Sequence, residues 1–278
     1  MKLGINIRNW GPQATPEILF ECAQIADRST LDSIWLNDHI GFPPGDWDNK
    51  FGMPDEVGTI LDPLGVLTFL AAATCRISLG TGVLVIPYRP KILTAKWVAT
   101  IQVLSNERFL MGVGPGHMAE EFRALGVDRT KRGKITDEML TFLHKAFDDG
   151  LISENGQELA LLPRPERPPF YIGGGPSVAI PRAVRLGDGW MPVGFSATDL
   201  KPHIDDGNRQ AADAGRPALE VIAMKTLPLE DPQAAIEMAS AYRDVGVTHL
   251  VHTQDYETAA DYQAIVDQVT GFVQPEIG

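Results

Sequence analysis

The sequence has little of what several protein classes require. Its two cysteines, Cys22 and Cys75, show no CxxC spacing, which excludes a disulfide scaffold and a recognisable zinc motif. No apolar run approaches the roughly 18–20 residues of a membrane span, so we expect no membrane association. Only 24 Lys and Arg stand against 36 Asp and Glu, and this net charge of −12 argues against a nucleic-acid partner. The first residues lack the apolar region of a secretory signal, so we expect a cytoplasmic protein.

What is present is typical of a globular protein. Of the 278 residues, 44% are hydrophobic and 22% are charged, which argues against disorder. This length fits two small domains or one α/β barrel of roughly 250 residues. No linker or low-complexity stretch divides the chain, so we predict a single domain over residues 1–278.

Short apolar runs alternate with longer amphipathic ones along the chain. The runs that predict strands are Leu3–Ile7, Ser33–Leu36, Ile77–Val85, Phe109–Val113, Phe170–Ile172, Gly189–Val193, Val221–Thr226 and His249–Thr253. The segments that predict helices are Pro16–Arg28, Leu64–Ala73, Ile92–Leu104, Thr136–Phe147, Ser177–Leu186, Asp199–Ala214, Pro232–Val245 and Ala259–Val273. Strict alternation predicts a parallel sheet, and eight repeats predict an α/β fold of the (β/α)8 TIM-barrel type. The alternative, an open doubly wound sheet, requires a GxGxxG fingerprint after the first strand, where this sequence reads NWGPQ.

In such a barrel the site lies where the strands end. The second predicted strand leads to Asp38 and His39, and a histidine there could exchange a proton near neutral pH. Asp38 could orient that histidine or cap the following turn, and His39 could itself be structural. The fourth predicted strand leads to His117, a second ionisable candidate.

Glycines are concentrated at three of the predicted strand ends. They are Gly80 and Gly82 in the third strand, Gly112, Gly114 and Gly116 at the end of the fourth, and Gly173, Gly174 and Gly175 after the fifth. Glycines in a strand indicate a bulge, a close approach of ligand or tight packing. The triglycine precedes a helix whose N-terminus would suit an anion such as phosphate, or it forms a plain turn with Ser177 as the N-cap.

Missing motifs narrow the chemistry further. The first predicted strand carries no HxH pair, which argues against a metal-dependent hydrolase, and no GxSxG nucleophile elbow occurs. Neither cysteine lies at a strand end. We therefore expect no metal, and a bound cofactor that performs the chemistry.

Five segments together resemble the luciferase-like monooxygenase family, whose members are barrels that use flavin or deazaflavin. They are SIWLNDH (33–39), RISLGTGVLVIPYRP (76–90), RFLMGVGPGHMAEEFRALGVD (108–128), RGKITDEML (132–140) and PPFYIGGGPSVAIPRAVRLGDGW (168–190). The similarity extends over most of residues 1–200 in the family's order. It is nearest to the branch that depends on the deazaflavin coenzyme F-420.

The resemblance implies a role for each matching position. Asp38 and His39 correspond to the Asp-His beside the cofactor ring, with the histidine as proton donor or acceptor. Thr81, Gly82 and Val83 correspond to a bulge that backs the ring, where the family leads us to predict a non-prolyl cis peptide at Gly82–Val83. The other positions that correspond to cofactor contacts are Gly114 and Gly116 along the cofactor and Gly173, Gly174, Gly175 and Ser177 around its phosphate.

The sequence also departs from the family and leaves several functions open. His117 stands where relatives more often have Trp or Glu, so its acid/base role stays undecided. The resemblance favours hydride transfer between the deazaflavin and a small organic substrate. With FMN instead, the protein would be a monooxygenase supplied by a flavin reductase. A non-catalytic flavin-binding barrel would not need His39, and an unrelated isomerase or lyase would bind neither cofactor. The loop from Phe42 to Trp47 suggests an apolar pocket rim, and we expect a homodimer from the family.

Overall fold

The computed structural model describes residues 1–43 and 59–277, which form a closed barrel. Its strands are β1 (Lys2–Asn6), β2 (Ser33–Leu36), β3 (Ser78–Thr81), β4 (Leu84–Val85), β5 (Phe109–Gly114), β6 (Leu151–Glu154), β7 (Gln157–Ala160), β8 (Phe170–Gly173), β9 (Gly189–Met191), β10 (Glu220–Lys225) and β11 (His249–His252). All but β6 and β7 form one parallel sheet in the order β3-β2-β1-β11-β10-β9-β8-β5-β4, and β3 also pairs with β5. Because β3 and β4 together occupy one position, the predicted (β/α)8 barrel is confirmed.

The helices cover the outside of this barrel. They are α1 (Pro16–Arg28), α2 (Pro63–Ala73), α3 (Lys91–Ser105), α4 (Ala119–Ala124), α5 (Arg132–Asp149), α6 (Pro176–Leu186), α7 (Ala197–Asp213), α8 (Pro232–Asp244), α9 (Ala259–Gln268) and α10 (Gln274–Ile277). Several begin at a side chain that accepts a hydrogen bond from the first turn, as Thr15, Asp62 and Asp231 do. In the part of the chain described here, no helix is long and apolar enough to cross a membrane.

Two apolar layers hold the fold together. The larger lies between the strands and the helices, and a smaller one fills the barrel with Trp35, Tyr171, Met191, Ile222 and Val251. A Cβ on Gly80 would lie 2.4 Å from the Trp35 ring, so this glycine is required by packing inside the barrel.

The structure differs from the sequence prediction in three segments. The third predicted strand, Ile77–Val85, is interrupted between β3 and β4. A short helix, α4, follows β5. Between α5 and β8, where the sequence analysis predicts neither strand nor helix, the chain forms the β6–β7 hairpin, whose turn residues Asn155 and Gly156 have φ values of 53° and 78°. Asn-Gly is the turn sequence that favours a two-residue hairpin, so this element was detectable in the sequence.

Candidate active site

The break between β3 and β4 is held by the end of β2. The Gly82–Val83 peptide is cis, at the position where the family resemblance predicts it. Asn37 donates its Nδ2 hydrogen to the Gly82 carbonyl at 3.0 Å, and the Val85 amide donates to Asp38 Oδ2 at 2.8 Å. Two consecutive side chains after β2 therefore bind the bulge, Asn37 at the carbonyl of the cis peptide and Asp38 two residues after it.

A network of amide side chains supports this clamp. Asn6 Nδ2 donates to Asn37 Oδ1 at 3.0 Å, and the backbone N–H of Asn37 donates to Asn9 Oδ1 at the same distance. Asn9 Nδ2 in turn donates to the Asn37 carbonyl at 2.8 Å. The sequence interpretation did not select these asparagines, because each is recognisable only once the ends of β1 and β2 lie side by side.

The predicted strand-end glycines pack around the bulge. A Cβ on Gly114 would lie 2.7 Å from Val83 Cγ2, and one on Gly173 would lie 3.0 Å from Val83 Cγ1. A Cβ on Gly82 would meet Met224 Sδ at 2.8 Å. Thr81 lies just before the bulge and donates its hydroxyl to the Gly112 carbonyl at 2.7 Å. Tight packing is therefore sufficient to explain these glycines, and the half-exposed Gly82 and Val83 form an apolar floor in the barrel mouth.

Asp38 belongs to the framework of this bulge. It is 4% exposed, and its Oδ1 accepts from Arg89 Nη2 at 2.7 Å. Burial raises the pKa of Asp38, while the positive charge of Arg89 opposes that rise. The sequence left open whether Asp38 orients His39. In the structure Asp38 accepts hydrogen bonds from Val85 and Arg89 instead.

The partner of His39 is Glu121, on α4. His39 Nδ1 lies 3.2 Å from Glu121 Oε2, which also accepts the Tyr88 hydroxyl at 2.8 Å. Glu121 is only 3% exposed. Burial acts to raise the pKa of Glu121, but hydrogen bonds from His39 and from other donors outweigh it and lower that pKa below its ordinary value. The site thus holds a buried carboxylate against one ring nitrogen of a histidine whose side chain is 15% exposed.

Glu121 was not selected from the sequence. It follows His117 by four positions, but it is one of 36 acidic residues and lies 82 positions from His39 along the chain. The one available signal was its place just after a strand end, beside the apolar Phe122.

The structure brings His117 to the same place. The His39 and His117 rings lie edge to face with centroids 5.8 Å apart, and the Phe42 ring lies 5.1 Å from His39. His117 is exposed, and Gly116 before it has φ of 75°, which accounts for a glycine there. Phe42 and Pro43 are the described part of the predicted apolar rim. The rest of that rim, residues 44–47, lies outside the described residues.

The triglycine forms the turn between β8 and α6. Gly174 has φ of 131°, and its carbonyl accepts the Trp190 indole N–H at 2.9 Å. Gly175 is the N-cap and Pro176 the first helical residue, so the suggestion that Ser177 caps this helix is wrong. Ser177 lies exposed in the first turn, and a Cβ on Gly175 would meet no atom within 4 Å. The turn is therefore open toward a ligand at a helix N-terminus, where backbone N–H groups favour an anion.

Comparison with known proteins identifies the family. A sequence model described as luciferase-like monooxygenase matches residues 2–271. The chain belongs to the luciferase-like monooxygenase family. Members of this family are oxidoreductases or monooxygenases, and this protein is an enzyme of that class.

Individual members of the family differ in cofactor. The chain is 28% identical over 253 residues to a glucose-6-phosphate dehydrogenase of Kineococcus radiotolerans that depends on F-420, covering 85% of this chain and 71% of that one. Among solved structures, the monooxygenase RslO1 from Streptomyces bottropensis has a TM-score of 0.83 at 16% identity, covering 100% of both chains. The oxygenating constituent of 3,6-diketocamphane monooxygenase from Pseudomonas putida, solved with FMN, has a TM-score of 0.79 at 12% identity, covering 100% of this chain and 99% of that one. At these identities the two structures establish the fold alone.

Proposed function

We propose that this luciferase-like enzyme transfers hydride between the deazaflavin coenzyme F-420 and a small organic substrate. The observation that carries the proposal is the His39–Glu121 pair beside the Gly82–Val83 bulge. Similarity to an F-420-dependent dehydrogenase supports the same cofactor. A dehydrogenase must move a proton whenever it moves a hydride to or from a carbon that bears oxygen, and a histidine held by a carboxylate suits that task.

The residues at the barrel mouth fit a deazaflavin. Val83 and Met224 are partly exposed and apolar, as a flat ring system requires of its support. Beside Val83, Gly173 leads into the open turn at Gly174 and Gly175 and then to the α6 N-terminus, which favours a phosphate. The positions that we expect to contact the coenzyme are Thr81, Gly82, Val83, Gly114, Gly116, Gly173, Gly174, Gly175 and Ser177.

In this proposal His39 handles the proton. The bound coenzyme supplies the hydride exchange with a substrate carbon. Because Nδ1 of His39 faces Glu121, Nε2 is the ring nitrogen left to take a proton from a substrate hydroxyl or return it. The Glu121 carboxylate stabilises the imidazolium formed in that transfer, and the Tyr88 hydroxyl holds the carboxylate in place. His117, whose ring lies edge to face with that of His39, is the second ionisable group near the same substrate position.

Binding and exchange measured separately test the proposal. The purified chain is titrated with F-420 and with FMN and followed by fluorescence; we expect F-420 to bind at least about tenfold tighter, a difference of about 1.4 kcal/mol. His39→Asn and Glu121→Gln should still bind F-420 but lose most exchange with a panel of small alcohols and carbonyl compounds. Glu120→Gln is the matched control, since Glu120 is next along the same helix and pairs with the exposed Arg123.

Other outcomes would replace the proposal. Preference for reduced FMN, with oxygen consumed when a flavin reductase is added, would make the protein a monooxygenase. Unchanged turnover in His39→Asn would remove the proton role of His39. No binding of either cofactor would contradict the assignment of the Gly173–Gly175 turn. The expected homodimer is checked separately by light scattering.

A further inference from the structure

A cavity opens in the barrel mouth away from the triglycine turn. Its volume is about 540 Å³, and it is lined by residues at or just after the ends of β1, β10 and β11, among them Asn6, Arg8, Trp10 and Gln254. This volume is within the range of pockets that hold small organic ligands.

Arg8 is the cationic group of this cavity, and the carboxylate of Asp255 also lines it. The residue is 8% exposed, and its guanidinium carbon lies 4.1 Å above the Trp10 ring. Its Nη1 lies 3.3 Å from Asp255 Oδ1, while its buried Nε has no hydrogen-bond partner among the described residues. A buried donor without a partner has lost its water and gained nothing in return, so the unused Nε–H of Arg8 favours an incoming acceptor.

The acid beside Arg8 does not close the site. Asp255 is 77% exposed on its side chain, and an ion pair that exposed contributes at most about 1 kcal/mol because water screens it. A planar carboxylate brought in by a ligand can take two donors of the guanidinium at once, which a single contact to Nη1 does not achieve. The site therefore favours a ligand carboxylate over Asp255.

Neighbouring groups complete a polar wall for such a ligand. His252 Nδ1 accepts the Leu227 amide at 3.1 Å, so its Nε2 donates to Gln254 Oε1 at 3.0 Å. The Gln254 amide oxygen is thereby occupied, and its NH2 group is the part able to serve a ligand acceptor. The hydroxyls of Thr226 and Thr253, 3.2 Å apart, also line the cavity.

The cavity adjoins the proposed ring site. Asn6 lines the cavity, and its Nδ2 donates to Asn37 Oδ1 at 3.0 Å. Asn37 Nδ2 in turn donates to the Gly82 carbonyl, also at 3.0 Å. In the closed sheet, β10, β11 and β1 lie two, three and four positions from β8, so the cavity and the phosphate turn occupy different parts of the mouth. A ligand in this cavity is therefore separate from the phosphate of the coenzyme.

We infer that Arg8 binds the carboxylate of the substrate, which makes the substrate a small organic acid. The inference rests on the proposed function for the reaction, but the anion site can be tested without coenzyme. The probes are benzoate and benzamide, which share one ring and differ in charge, titrated into the full chain by calorimetry. Benzoate should bind at least about tenfold tighter, the increment expected of a hydrogen-bonded charge pair.

Three variants complete the test. Arg8→Gln should remove the preference for benzoate. Asp255→Asn should strengthen benzoate binding a few fold, because it removes the competing carboxylate. Arg209→Gln should leave it unchanged, since Arg209 is exposed on α7 and pairs with Asp206. Circular dichroism checks that each variant is folded.

The outcomes separate the two proposals. Equal binding of benzoate and benzamide by the wild type, or a preference retained in folded Arg8→Gln, would overturn the anion site. Weaker benzoate binding by Asp255→Asn would also overturn it. F-420 affinity should be the same in wild type and Arg8→Gln, and a large loss would assign Arg8 to the coenzyme instead. If no chain binds F-420 while the benzoate preference holds, the anion site stands and the proposed reaction fails.

Discussion

The Asp38–Arg89 ion pair tests whether Asp38 serves the framework of the site. Replacing Asp38 by asparagine preserves its size, and the amide oxygen can still accept from Val85. Its NH2 group then faces the donors of Arg89, so a guanidinium that is 14% exposed on its side chain loses its buried partner. Breaking a buried pair by removing one member costs about 3–5 kcal/mol. Arg89 keeps its ion pair with Asp62, which is 50% exposed and therefore contributes at most about 1 kcal/mol. Because this remaining pair offsets part of the cost, we expect the free energy of unfolding to decrease by about 2–4 kcal/mol.

Urea denaturation measures this loss as a change in the free energy of unfolding. Asp205→Asn is the control, because Asp205 is 58% exposed and pairs with Lys201 one turn away, and it should change stability by less than about 0.5 kcal/mol. A double variant with Arg89→Gln should be less destabilised than the sum of the single ones, since the two residues are in contact. A loss below about 1 kcal/mol in Asp38→Asn would refute the framework role and restore Asp38 as a group poised for chemistry.

Two further predictions concern the bulge and the barrel interior. Gly114→Ala should lower F-420 affinity about tenfold or more, because its Cβ would meet Val83 Cγ2 at 2.7 Å and displace the bulge. The control is Gly65→Ala on α2, where a Cβ meets nothing within 4 Å. An unchanged affinity in Gly114→Ala would count against the ring site. Burial lowers the pKa of His249 from 6.5 to about 4. The folded state therefore takes up this proton at a lower pH than the unfolded state does. The free energy of unfolding should decrease as the pH is lowered from 6.5 to about 4, by roughly 3 kcal/mol at most. His249→Gln should remove that part of the acid sensitivity in urea titrations at stepped pH, and an identical pH profile in the variant would contradict this assignment.

The barrel was predictable because each of its repeats carries a local signal. A run such as Ser33–Leu36 followed by a capped helix can be recognised one unit at a time, and closure follows from the number of units. The hairpin at Asn155 and Gly156 carried an equally local signal that was not used. The interruption of the third strand had no signal in periodicity. Gly80 and Gly82 left a bulge as one alternative, and the family resemblance indicated it at Gly82–Val83.

The candidate site was predictable in its positions but not in its pairings. Strand ends selected His39 and His117, and the structure places their rings together. The partner of His39 came from 82 residues away, and the nearer acid, Asp38, turned to Arg89 instead. Sequence spacing specifies which residues share the mouth of a barrel, whereas hydrogen-bond partners depend on how separate strands and helices are packed.

The three residues after β2 show how one short segment can serve both structure and chemistry. Asn37 and Asp38 bond to the two sides of the bulge, and both are fixed by amide or ionic partners. His39 follows them directly, so its ring is placed by a backbone that has little freedom to move. Its other constraint, Glu121, comes from α4 and leaves Nε2 as the ring nitrogen that can face a ligand. If this arrangement governs the reaction, loss of Asp38 should lower stability and loss of Glu121 should lower turnover. Measuring both quantities on both variants would separate the residue that holds the site from the residue that works through His39.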